Sequence, residues 1–308
     1  MLKPAVSNQA VRALLSEIFS KPIEDLVAIE RGQVAQTLAF TVEDQPYVLR
    51  FNADNMDANF EKEDFIARYF VVKEVPIPAM VRYGRLGELH FCITEKAEGQ
   101  CMDQLTQEQA EQAAPAIVAV LGAIHATDVS AYEGYGIFDG VGQGLFPSWP
   151  AYLLAVRDEE RADGFFGKWH SLFETSFLER DTFDQVSSHM ERLLEYCTNE
   201  RYLVHGGFGF GNLLMHNGIV TGVIDWLDAK YGDFLYDVAW LDFWAPEQGY
   251  PERFHTSYSN RGVDVRALHE RIQCYQCYIA LDAMRFFAKA DNPDSYAFVK
   301  DRVEAITA

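Results

Sequence analysis

With 308 residues, 49% of them hydrophobic and 14% aromatic, the chain is long enough for two lobes with sizeable cores and is not a disordered polymer. Its 46 acidic and 26 basic residues give a net charge of −20, which repels nucleic acid and anionic membranes and attracts cations. No apolar run is long enough to span a bilayer, and the N-terminus lacks the charged-then-apolar pattern of a secretory leader, so the cytoplasm is the expected compartment. Cys92, Cys101, Cys197, Cys274 and Cys277 are an odd and scattered set, which argues against a disulfide framework. The last two sit in a helical pattern and read as core thiols rather than as a metal or redox pair.

In chain order, residues 7–20 place Val11, Leu14, Leu15 and Ile18 on one helical face. DLVAIERG, QTLAFTV and QPYVLRFN follow as short strands, rich in β-branched and aromatic residues, with turns at Arg31-Gly32 and Glu43-Asp44-Gln45. Residues 57–73 carry Phe60, Phe65, Ile66, Tyr69 and Phe70 at helical spacing, and two more strands follow around a Gly84–Gly87 turn. These elements predict an antiparallel sheet with one inserted helix, ending near Gly99. From Thr106, a predicted N-cap with Glu108 close behind, the pattern turns mainly helical. The glycine-rich stretch 134–150 reads as a long loop. A β segment from Arg201 to Trp226, with the hairpin turn signal Asn217-Gly218, interrupts the helices. The expectation is an α+β protein of two lobes, residues 1–98 β-rich and residues 99–308 mainly helical.

Moving a phosphoryl group from a nucleotide needs a phosphate cradle, oxygen ligands for Mg²⁺ and a carboxylate that receives the acceptor hydroxyl's proton. A hairpin about Asn217-Gly218 brings Asn212 and Asp225 to one end of two strands, where an amide oxygen and a carboxylate suit a hard cation. Gly206, Gly207, Gly209 and Gly211 also suggest a dinucleotide fingerprint, but no βαβ pattern surrounds them. Asp233 and Asp237 read as residues that fix the loop and a helix start rather than as metal ligands. His205 reads as a packed histidine that orients its loop.

The segment VHGGFGFGNLLMHNGIVTGVIDWLDAKYGD resembles the H-x-D-x-x-x-x-N … I-D-W/F signature of the aminoglycoside phosphotransferases, relatives of the protein kinases. PYVLRFN, PIP, ITEKAEG and DVAWLDFWAP extend the resemblance over most of residues 27–290. It implies the two-lobed protein-kinase-like fold, ATP (or GTP) with Mg²⁺, and a cationic aminosugar as acceptor, in a monomer or dimer. Macrolides, choline and other small alcohols are alternatives that fold analogy does not separate. By position, Arg50 replaces the usual lysine that reaches the phosphates, and Glu63 is its helix partner. Gly32, Gln33 and Gln36 match the loop over the phosphates, Glu95 and Ala97 the adenine-reading hinge, and Asn212 and Asp225 the metal ligands. Asp228, Trp244 and Asp282 are candidates for the acceptor pocket, where carboxylates and an aromatic wall suit a polyamine. One position departs sharply. His205-Gly206-Gly207 stands where H-x-D is expected, so Gly207 occupies the place of the catalytic base, and residues 200–224 contain no aspartate. The expectation is a protein that binds but turns over poorly, or a non-catalytic binding relative.

Overall fold

The computed structural model describes residues 3–53, 60–70, 75–159, 164–263 and 265–307. Helix α1 (Asn8–Phe19) begins where the Ser7 side chain accepts the Ala10 N–H. Its buried Val11 and Leu15 lie one turn apart and pack on the first sheet. That sheet comprises β1 (Glu24–Ile29), β2 (Gln36–Val42), β3 (Gln45–Ala53), β4 (Met80–Leu86) and β5 (Leu89–Glu95), in the order β1-β2-β3-β5-β4 with every pair antiparallel. Alternation along β2 and β3 aims Leu38, Phe40, Val42, Leu49 and Phe51 at the core shared with α1.

Between β3 and β4 lies α2 (Glu61–Tyr69), the described part of the helix expected over 57–73; residues 57–59 and 71–73 lie outside the described residues. Its apolar face corrects the expectation of a helix belonging to the sheet. Phe65, Ile66 and Phe70 enter the larger core of the second lobe, where Phe65 meets Tyr132 and Phe138 and Phe70 meets Tyr231. Aromatic partners of matching size are found there.

Beyond the hinge, β6 (Gln100–Cys101) already pairs with a strand of the second lobe. The long helix α3 (Gln107–His125) starts at Thr106 in a capping box, whose reciprocal partner is Gln109 rather than Glu108. The stretch 134–150 is not a plain loop, because it contains β7 (Tyr135–Phe138), β8 (Gly144–Phe146) and the start of α4 (Trp149–Leu154). The glycines that read as loop markers allow the strands to close: a Cβ on Gly134 would lie 2.3 Å from the Gly144 carbonyl oxygen. After α5 (Leu172–Thr175) and α6 (Arg180–Leu193) come β9 (Tyr202–Val204), β10 (Leu213–His216), β11 (Ile219–Val223) and β12 (Lys230–Gly232). They complete two small sheets, β11-β10-β6 and β8-β7-β12-β9. Helices α7 (Leu235–Trp244), α8 (Tyr250–Asn260), α9 (Leu268–Lys289) and α10 (Pro293–Thr307) close the lobe. Cys274 and Cys277 are buried in α9, in agreement with core thiols.

Candidate active site

Strand β9 delivers the chain into the loop His205–Gly211, and a buried carboxylate holds that loop. Asp237, in the first turn of α7, accepts the His205 and Gly206 N–H groups at 2.8 Å each and faces His125 Nε2 at 3.2 Å. Burial opposes its charge, but the hydrogen bond from His125 and those from the loop outweigh it and lower its pKa. His205 is fully buried and packs on Trp226. The Gly207 N–H donates to its Nδ1 at 3.3 Å, which leaves Nε2–H to donate to the Ile224 carbonyl at 3.1 Å. Burial lowers its pKa and keeps it neutral. It therefore ties the loop to the residue before Asp225, as a packed histidine should.

Three of the glycines differ in what they permit. Gly206 (φ +87°) and Gly209 (φ +108°) have left-handed backbone, and a Cβ would strike the Asp228 carbonyl oxygen at 2.2 Å or Leu241 at 2.6 Å. Gly207 lies outside the left-handed region, and a Cβ there would meet only Asn212 Nδ2, at 3.4 Å. The loop has a place for a side chain at 207 and carries none.

Asn217 (φ +50°) and Gly218 (φ +75°) make the hairpin turn between β10 and β11, as the Asn-Gly signal predicts. Asn212 and Asp225 consequently flank one end of the pair, where the Ile224 N–H donates to the Asn212 carbonyl at 3.0 Å. Asn212 Nδ2 donates to the Gly207 carbonyl at 3.0 Å, so its Oδ1 is the atom left for a cation. The Asp225 side chain is about half exposed (48%), and burial of the site nonetheless pushes its pKa up to about 6 against the pull of Arg50. An amide oxygen beside a carboxylate fits Mg²⁺.

Arg50 projects from β3 into an ion pair with Glu63 of α2, and its Nη1 lies 3.9 Å from Asp225 Oδ1. Burial alone would lower its pKa, but Glu63 and Asp225 raise it, so the guanidinium stays charged. Strand, helix and hairpin thus meet at one cation. Gly32 (φ +74°) and Gln33 are exposed in the β1–β2 connection, and Arg31 beside them reaches across to Asp103 Oδ1 at 2.6 Å. Gln36 does not join them. Its amide is spent on the backbone of Val6, accepting that N–H at 2.7 Å and donating to that carbonyl at 3.1 Å, so it pins the N-terminal segment. Glu95 ends β5 and Ala97 follows in the connection to β6.

Asp228 is exposed just before β12, and Asp282 on α9 is 41% exposed and paired with Arg285 at 2.6 Å. Burial raises the pKa values of Tyr152 and Tyr236, and the charges of Asp282 and Asp228 raise them further. Trp244 is not brought to this group. Its ring stacks on Phe298 at 5.7 Å and meets Phe243 and Phe287 edge-on, because the last turn of α7 faces α10.

Two lysines escaped the sequence reading. Lys62, 5% exposed, donates to the carbonyls of Leu227 at 2.7 Å and Ala229 at 2.5 Å and lies 4.5 Å from the Phe138 ring centre. The only signal was its position in EKEDFI, between acids that solvate and aromatics that bury. Burial pushes its pKa down to about 7, against the pull of Asp228 and with repulsion from Lys230. A neutral amine has two N–H groups for the two carbonyls. Because the folded pKa lies below the unfolded value, the unfolded chain binds more protons above pH 7, so this group makes stability rise with pH there. Chemical denaturation from pH about 7 to about 9 should show the parent gaining stability relative to Lys62→Met; parallel curves would contradict the assignment. Lys230 is the second.

A two-lobed protein in which a buried cation, a metal-type hairpin and a histidine-anchored loop come together has the architecture of the kinase-type phosphotransferases. Residues 25–273 match the model of the phosphotransferase enzyme family (APH), and the chain belongs to that family. It is 30% identical to the hygromycin-B 4-O-kinase of Escherichia coli over 310 aligned residues, 99% of this chain and 87% of that one. Among solved structures it is similar to a thermostable mutant of aminoglycoside phosphotransferase APH(4)-Ia in ternary complex with ADP and hygromycin B, with a TM-score of 0.82, 28% identity and coverage of 96% and 97% of the two chains. Spectinomycin phosphotransferase APH(9)-Ia shares the fold at a TM-score of 0.68 and 14% identity, over 99% of each chain.

Proposed function

We propose that this protein binds ATP with Mg²⁺ and an aminoglycoside of the hygromycin B type, and that its transfer of phosphate to a hydroxyl is slowed by the missing carboxylate at 207. The observation that carries the reading is the convergence of Arg50, Glu63, Asn212 and Asp225 on one point, with Gly207 beside it. Arg50 holds phosphate oxygens and is aimed by Glu63. Asn212 and Asp225 hold the cation, which when bound offsets charge on the phosphates. Asp228 and Asp282 offer carboxylates to the ammonium groups of the acceptor, and the charge of −20 draws such a ligand in. The His205 loop presents the hydroxyl without a group to take its proton. A loose phosphoryl-transfer transition state needs little early proton removal, so slow turnover remains compatible with the site.

A second reading, a binding protein without turnover, is favoured by Gly207 alone. Titration calorimetry with Mg·AMP-PNP and with hygromycin B, followed by ADP release over a panel that includes a macrolide and choline, separates the readings. Heat with both ligands and slow ADP release dependent on hygromycin B is the expected result. Heat without release under any acceptor supports the binding protein, and no heat with Mg·AMP-PNP removes the kinase reading altogether.

A further inference from the structure

The sequence sets Cys274 near Cys277 on α9, but the fold brings it a different thiol. Cys274 Sγ lies 3.6 Å from Cys197 Sγ, across 77 positions of the chain, and both cysteines are free. At that separation the two sulfurs are in direct contact. They differ in access. Cys274 is buried, with the Met190 carbonyl oxygen 3.7 Å from its Sγ. Cys197 is half-buried just after the 3-10 turn Leu194–Tyr196, in the connection to β9. They differ in acidity as well. The hydrogen bond with Cys274 lowers the Cys197 pKa against the effect of burial, whereas that bond and burial together raise the pKa of Cys274. Cys197 is therefore the thiolate of the pair, and it is the one a reagent can reach. Cys92 and Cys277 have no such character, because burial pushes each thiol up to about 12.

We propose that Cys197 and Cys274 are a redox-modification site, a dithiol that closes reversibly to a disulfide by exchange with a small organic disulfide. The Cys197 thiolate attacks one sulfur of that disulfide, forms a mixed disulfide and releases a small thiolate. The hydrogen bond with Cys197 is the largest cause of the raised Cys274 pKa, so consuming the Cys197 thiolate readies the second thiol. Cys274 gives its proton to the released thiolate and attacks Cys197 Sγ. The second small thiolate leaves and takes up the proton that Cys197 had lost to solvent. The protein gives up two electrons, and the small disulfide becomes two thiols. The new bond joins the entry to β9, which delivers the His205 loop, to the helix whose Arg271 holds Asp233 at 2.7 Å. Neither nucleotide nor acceptor enters the exchange. The test uses the reduced full chain and hydroxyethyl disulfide, an uncharged probe that the charge of −20 does not repel. Acid quenching, alkylation of the remaining thiols and peptide mapping then locate every cysteine. The expected result is loss of two alkylatable thiols, Cys197 and Cys274, recovered as one linked peptide pair and restored by dithiothreitol. Cys274→Ala should stop at the mixed disulfide on Cys197, and Cys197→Ala should leave Cys274 alkylatable. A parent in which Cys197 stays free, keeps the hydroxyethyl adduct or links to another cysteine overturns the site. Should a variant fail to fold, the map of the parent alone decides.

Discussion

Gly207→Asp is expected to raise hygromycin-dependent ADP release by about 10²–10⁴-fold, equivalent to roughly 3–5 kcal/mol of barrier. Adding a buried charge would ordinarily threaten the fold, but three features make this position tolerant. Its backbone lies outside the left-handed region, and the nearest atom to a new Cβ is Asn212 Nδ2 at 3.4 Å. That nitrogen is a donor suited to the incoming carboxylate. A melting temperature within a few degrees of the parent's is expected alongside the rate gain. Its neighbour is the control: Gly206→Ala forces a Cβ to 2.2 Å from the Asp228 carbonyl and should destabilise the protein. If Gly207→Asp folds and binds both ligands but releases ADP no faster, the missing base is not what limits this protein.

Asp237→Ala is expected to cost about 3 kcal/mol or more of stability and to abolish binding at the loop. The side chain is fully buried and accepts two backbone N–H groups, from His205 and Gly206, while facing His125. Truncation strands these donors away from water, each at about 1–3 kcal/mol. Asp237→Asn keeps the shape but exchanges an acceptor oxygen for a donor, so it should lie between alanine and the parent. Denaturant unfolding measures both, and a loss below about 1 kcal/mol for alanine would show that the loop holds itself.

The parts of this site that could be read in the sequence are those whose geometry is local. Asn212 and Asp225 meet because an Asn-Gly turn sets the register of two short strands, and that follows from their spacing. The pairing of Arg50 with Glu63 came from position within a resemblance, and the ion pair is present. Pairings over long separations were not legible. Strands β7, β8, β9 and β12 are three or four residues each, too short to declare a period, and they find each other across distant parts of the chain. Long amphipathic side chains were not legible for a related reason: Gln36, Trp244 and Lys62 each suit surface or interior, and only the neighbours decide. Gln36 found the backbone of Val6, Trp244 found Phe298, and Lys62 found two carbonyls.

The burial of α2 in the large core changes what its ion pair connects. The first sheet packs on α1, whereas α2 is fastened to the second lobe by Phe65, Ile66 and Phe70 and by the grip of Lys62 on Leu227 and Ala229. Arg50 and Glu63 therefore stand on elements that belong to different cores. Their ion pair is a clasp between jaws rather than a brace within one of them, and a displacement of the sheet from α2 would draw the guanidinium from Glu63 and Asp225 together. Under the proposed function, phosphates arriving between the jaws would offer that guanidinium a third anion, so the spacing of sheet and helix and the hold on the nucleotide become one electrostatic question.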